Sequence, residues 1–146
     1  MNVVDIHDFS EDWVVGPAQG ATRLFVWGIS AGKGQMVGLH HHRGEEIFRV
    51  LYGKLRFRVG DHLQEVGPGN IVIIPPGTEH GYQVLETAEL ELYGEAGCGI
   101  FITRLNPDGT TWEEESFVPG YPWSRVPEDE SRYVTRDEQL RRLPAI

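Results

Sequence analysis

Glycine and proline punctuation constrains this chain more than any other feature. Between residues 22 and 105 the turn signals Ser30–Gly34, Arg43-Gly44, Gly53-Lys54, Gly60-Asp61, Gly67–Asn70 and Pro75–Gly77 separate short runs of β-branched, aromatic or alternating residues. No helical period appears among those runs. Pro cannot continue a ladder or a helix, and Gly supplies the positive φ that tight turns need. The runs 22–29, 35–42, 46–52, 55–59, 62–66, 71–74, 80–85, 88–93 and 99–105 read as about nine short strands, which predicts an all-β sandwich or small barrel. The 18 glycines and 9 prolines among 146 residues fit that class better than a helical bundle.

The chain divides into three parts. Residues 1–21 read as a lead-in, with strand character only at Val3-Val4 and Trp13–Val15. Residues 22–105 hold the barrel. Residues 106–146 form an irregular arm rich in Pro, with Trp112, Phe117, Tyr121 and Trp123 set around Glu113-Glu114-Glu115. These aromatics predict that the arm packs, either on the outside of the barrel, over its open end, or across a second subunit. A short helix is expected at about 136–143, where Thr135 and Glu138 form a capping box and Pro144 ends the element.

The chemistry lies in residues 34–53. Side chains of a strand alternate faces, so His40 and His42 point together and His41 points away. A tight turn at Arg43-Gly44 returns the chain with Glu46 opposite the two imidazoles. His80, aimed by the rigid Pro75-Pro76-Gly77 corner, is the candidate third imidazole.

In these residues the sequence resembles the cupin superfamily. Its first motif is carried by Gly34, His40, His42, Glu46 and Gly53, and its second by Gly69, Pro75, Gly77 and His80, all at the family's spacing. Val84 stands where the second motif has Asn. The 15 residues between Gly53 and Gly69 suit a small single-domain member. The resemblance implies a double-stranded β-helix, or jelly-roll barrel, and a metal site made by His40, His42, Glu46 and His80. Such a set suits one divalent transition metal, Fe, Mn, Ni, Cu or Zn, and leaves coordination positions open. It also implies pairing as a homodimer.

Strand parity adds pocket candidates. Met36 shares the ligand face with His40, Phe48 and Val50 share it with Glu46, and Tyr82 shares it with His80. Tyr82 is the candidate catalytic residue, orienting substrate or acting as an acid; packing at the barrel mouth is the equal alternative. Arg104 lies among apolar residues and faces either solvent or an anionic substrate. His7 and His62 read as surface residues, Glu45 as a surface ion-pair partner, and Cys98 as an inert thiol.

Charge removes some functions. With 13 basic and 22 acidic residues the formal charge is −9, which argues against nucleic acid or an anionic membrane as partner. One cysteine allows no intrachain disulfide and no Cys-rich metal site. The absence of an 18-residue apolar run and of a leader pattern at Met1–Asp5 makes a cytoplasmic protein the expectation. The functional expectation is a metal-dependent enzyme acting on a small organic molecule, first a dioxygenase-type oxidoreductase. A redox-neutral isomerase, lyase or cyclase, and a non-catalytic small-molecule-binding barrel, are the alternatives.

Overall fold

The computed structural model describes residues 2–9, 12–98, 100–105, 108 and 110–116, with side chains through Cys98 and at Phe101, Asp108 and Thr110. Nine strands run through them: β1 (Trp13–Val15), β2 (Leu24–Ala31), β3 (Met36–His42), β4 (Glu46–Val59), β5 (His62–Val66), β6 (Ile71–Ile74), β7 (His80–Glu95), β8 (Ile100–Leu105) and β9 (Thr111–Ser116). All recorded pairings are antiparallel, in the order β1-β2-β7-β3-β8-β9, with β4 bridging β5, β6 and β7. This is the all-β jelly-roll barrel. No helix among the described residues is long and apolar enough to cross a membrane.

The longest strands make the two walls. β4 and β7 pair from Glu46↔Gly94 to Val59↔His80, while β7 also pairs with β2 at its far end and β3 at its near end. Each therefore serves both halves of the barrel and must bend between them. The bend falls at Gly53. Register shifts cluster between Val50 and Leu55, and Gly53 takes φ +84°. A Cβ there would press on Thr87 O and lie 2.6 Å from the Cα of Ala88. Residues 46–52 and 55–59 are thus one bent strand rather than two joined by a turn, and 80–85 and 88–93 likewise merge into β7. A long strand bends without ending when an extra residue is accommodated as a bulge.

Burial follows the alternation. Phe48, Val50, Leu55, Phe57, Val66, Ile74, Tyr82, Val84, Ala88, Leu90 and Leu92 form the core. Parity on β4 changes from even to odd across the Gly53 bend, as the register shifts require. Phe57 packs 5.1 Å from Phe48 and 5.0 Å from Tyr82, centroid to centroid, within the range of favourable aromatic pairs. Val84 sits opposite Leu55 in this core, and its backbone bonds Gln35 O and the Gly34 N–H.

The outer face is less polar than alternation alone demands. Val15, Val26, Tyr93, Ile47 and Ile73 lie side by side across β1, β2, β7, β4 and β6. Ile71 and Ile73 are each 61% exposed. The arm expected to be irregular from residue 106 opens with a strand, β9, paired to β8. Thr residues and alternation favour such a strand, but acidic Glu113–Glu115 masked the signal. The helix expected at 136–143 lies outside the described residues.

Candidate metal centre

Three elements deliver the polar side chains of the interior. β3 supplies His40 and His42, β4 opens with Glu46, and β7 opens with His80. All four residues are at most 5% exposed. The Pro75–Gly77 corner is fixed by a 2.7 Å bond from Gly77 N–H to His42 O, which draws the start of β7 beside β3 and sets His80 directly opposite His40. One ligand atom from each of the three histidines falls in a group no more than 4.8 Å across. These three buried histidines can hold a metal ion. Glu46 stands at the rim of that group, with Oε1 2.7 Å from His42 Nε2 and Oε2 3.9 Å from His80 Nε2.

Two of the rings are oriented in the same way. His40 Nδ1 donates to Gly38 O at 2.7 Å, and His80 Nδ1 donates to Thr78 O at 2.8 Å. A carbonyl can only accept, so each Nδ1 carries the proton and each Nε2 keeps its lone pair. That is the tautomer a metal-ligating imidazole needs, locked by its other nitrogen. His80 Nε2 is buried and has no hydrogen-bond partner. An unmet polar atom in a dry interior costs about 1–3 kcal/mol, so such groups mark a function. The donor set, three imidazoles with a carboxylate at their edge, fits a divalent transition metal.

Electrostatics favour the neutral form of His40 and His80. Burial depresses the pKa of His40 well below its ordinary value, reinforced by His80 and His42 and opposed by the bond to Gly38. Burial lowers His80 as well, while Glu46 opposes the shift. In the unfolded chain these groups protonate near pH 6.5, roughly the free value. The unfolded state then binds more protons than the folded state as pH falls below that value. Metal-free protein therefore loses stability from about pH 6.5 downward, by up to about 1.4 kcal/mol per pH unit for each of His40 and His80, until the folded groups themselves titrate. Denaturant midpoints of metal-free protein at pH 7.5 and 5.5 check this; an unchanged midpoint contradicts it.

The bulge in β3 corrects one pocket assignment. Val37 pairs with Tyr82 and His40 with His80, so β3 holds one more residue than β7 over that interval. Gly38 and Leu39 absorb it. The extra residue inverts parity, so Met36 pairs with Gln83 on the face away from the ligands, and Val37 packs against the core in its place. Gly81 makes room for the bulge, since a Cβ there would lie 2.6 Å from Val37 O. Phe48 and Val50 do face the interior, as core residues beyond Glu46. Tyr82 packs its ring against Phe48 and Phe57. Burial, then the charges of Asp12 and Glu46, push its hydroxyl pKa up, so it stays protonated. Arg104 pairs with Trp112 in the β8–β9 ladder, and its side chain lies outside the described ones. His41 faces away from the ligands, stacked on Phe101 at 4.9 Å, with the Arg43 guanidinium 5.0 Å from the same ring.

A depression partly open to solvent is lined by His42 and Glu46 together with Phe25, Gly44, Glu45, Glu95 and Cys98. No sequence motif marks Phe25 or Glu95. Their link to the site is tertiary: Glu95 Oε2 accepts the Glu45 N–H at 2.7 Å across 50 residues of chain, which no local pattern reveals.

The fold and the site together define a double-stranded β-helix protein with a buried imidazole–carboxylate cluster in its interior. Residues 29–93 match the cupin domain family, and this segment is a cupin domain. Among solved structures, an RmlC-like cupin from Shewanella frigidimarina is 21% identical, with 51% of this chain and 68% of that chain covered at a TM-score of 0.50. An oxalate decarboxylase variant from Bacillus subtilis is 23% identical over 65% of this chain and 27% of its own, with a TM-score of 0.53. A salicylate 1,2-dioxygenase from Pseudaminobacter salicylatoxidans is 15% identical over 57% of this chain and 25% of its own, with a TM-score of 0.51. The chain thus spans about a quarter of the two enzymes, and these likenesses speak to the fold. No curated protein sequence matches the chain.

Proposed function

We propose that the chain is a metal-dependent oxidoreductase of the dioxygenase type, acting on a small organic molecule beside His42 and Glu46. The observation that carries this reading is the buried, unpartnered His80 Nε2, set in a group of three buried imidazoles that each bring a nitrogen within 4.8 Å of the others. When bound, a divalent metal of this donor set supplies Lewis acidity and, if it is iron, manganese or copper, electron transfer. His40 and His80 stay oriented because their Nδ1 protons are held by Gly38 O and Thr78 O. Glu46 brings the negative charge that offsets part of a dication. The packed core beyond Glu46 keeps water from the inner side of the centre. Tyr82, protonated and buried, serves as a hydrogen-bond donor and not as a base.

That last point favours oxidation over the redox-neutral reading. An isomerase, lyase or cyclase needs a base besides its metal. Among the described residues, the buried polar and charged groups are His40, His42, Glu46 and His80, so a redox-neutral enzyme would have to draw its base from the exposed Glu45 or Glu95 beside them. The chain also pairs as a homodimer in this reading, a view supported by the apolar row from Val15 to Ile73, in which Tyr93 and Ile73 are exposed.

Native mass spectrometry of the full chain incubated with Fe(II), Mn(II) or Zn(II) tests both parts at once. One ion per chain and two chains per particle are expected, with oxygen uptake by the iron or manganese form when small hydroxylated compounds are added. Activity with zinc that does not rise on exchange to iron overturns the oxygen-using reading in favour of the redox-neutral one. No retained metal overturns both and leaves a binding module.

A further inference from the structure

A bare edge strand is a template for pairing with another chain. Among the described residues β1, β5, β6 and β9 stand at edges, each paired with a single neighbour. Three of them carry the features that keep edges apart. β1 is only three residues long, β5 carries His62, Gln64 and Glu65, and β9 carries Glu113, Glu114 and Glu115. Short length and charge both discourage pairing. β6 differs: it reads Ile71-Val72-Ile73-Ile74, apolar throughout. Ile71 and Ile73 are each 61% exposed on the outer face.

The ladder fixes which backbone groups of β6 are free. Val50 N–H donates to Asn70 O at 3.1 Å, and the register continues as Phe48↔Val72 and Glu46↔Ile74. Alternate residues of an antiparallel strand turn their backbone groups to the same neighbour. Val72 and Ile74 therefore bond β4, while the N–H and C=O of Ile71 and Ile73 point off the sheet. No described strand pairs with that side. The charge beside Ile71 is balanced, since its ladder partner Arg49 lies 3.3 Å from Glu91. Two chains each carrying −9 repel as wholes, so contact between them is least opposed at a stretch without net charge.

We propose that β6 pairs with β6 of a second copy of the chain, antiparallel about a twofold axis through Val72, and so joins the two sheets into one. The inference rests on the homodimer in the reading above and adds the surface that makes it. The edge is complementary to itself in this register. With Ile71 opposite the partner's Ile73, the outward N–H and C=O of each are met by reciprocal bonds, and Val72 falls on its own copy at the axis. The isoleucines of both chains then share the outer face as cross-strand pairs. A slip of one residue sets outward groups against groups already bonded to β4, which excludes the neighbouring registers.

Amide hydrogen exchange of the full chain, followed residue by residue by NMR at high and low concentration, tests the pairing. In the dimer the Ile71 and Ile73 amides are expected to exchange slowly. Dilution is expected to free them, while Val72 and Ile74 stay protected by β4. Ile73→Lys keeps the backbone donor and brings two like charges close across the axis. Ile73→Pro removes the donor at an edge position, where Pro is tolerated. Each change acts twice in a twofold dimer, so the dissociation constant from sedimentation equilibrium is expected to rise roughly 10–100-fold. Thermal unfolding checks that each variant is folded, and Ile73→Lys decides if Ile73→Pro is not. A dimer whose Ile71 and Ile73 amides exchange freely overturns this inference alone; a monomer at every concentration overturns the homodimer with it. Protection that does not depend on concentration puts a segment of the same chain on the edge and overturns the inference, as does an unchanged dissociation constant in Ile73→Lys.

Discussion

In His80→Ala, divalent-metal affinity falls by more than the roughly 10–100-fold that loss of an outer-sphere partner costs, while the metal-free barrel stays folded. The first half follows from the convergence of three imidazoles on one point, since removing any of them opens the group. The second half follows from what His80 lacks. It is buried to 1% exposure with Nε2 unpaired, so alanine removes an unmet polar atom as well as ring volume. The cavity costs stability, while relief of the desolvated nitrogen returns about 1–3 kcal/mol. Calorimetric titration with Zn(II) and thermal midpoints of the metal-free proteins measure the two halves separately. His41→Ala, on the outer face against Phe101, should leave metal affinity unchanged. Equal affinity of His80→Ala and wild type removes the basis for the site.

The largest loss of stability is expected from Gly53→Ala. The left-handed backbone at φ +84° alone costs a non-glycine residue about 1–2 kcal/mol. The new Cβ also meets backbone, Thr87 O and the Cα of Ala88 at 2.6 Å, which no rotamer change relieves. To make room, β4 and β7 must part where both strands pass from one half of the barrel to the other. The sum is placed at about 3–5 kcal/mol, or a midpoint roughly 10 °C lower. Gly69→Ala provides the comparison: its φ is +89°, yet nothing lies within 4 Å of its Cβ, so only the conformational part remains. Thermal unfolding of the two variants separates strain from crowding. Equal midpoints would show that the bend tolerates a wider spacing than its geometry suggests.

The buried cluster of His40, His42 and His80 with Glu46 beside it was legible because its signal is local. His40 and His42 share a face by parity, Glu46 lies one tight turn on, and His80 follows a rigid corner; each relation spans a few residues. The strand class was equally plain from the turn residues. Gly53 was not: read with Lys54 as a turn separating two strands, it is the bend of a continuous strand, and the contact with Thr87 and Ala88 that decides between the two lies more than 30 residues away. Met36 was misplaced for a related reason. Parity counting assumes a regular ladder, and the bulge at Gly38 and Leu39 is defined only against β7. Glu95 left no trace at all, because its function is to brace a turn 50 residues earlier.

The bulge also makes chain length a determinant of the site. Val37 and His40 are three residues apart, and in a regular strand they would face opposite ways; here both meet inward-facing partners on β7. Between Met36 and His40 the residue count is therefore as binding as residue identity. Losing one residue there restores regular pairing and exchanges the inside of the wall for its outside, even if every remaining side chain is kept. An insertion or deletion in the exposed Gly32–Gln35 turn, ahead of the strand, carries no such penalty. Related chains that conserve the histidines but vary in length are thus expected to place their changes before residue 36, leaving the stretch from there to the first ligand at constant length.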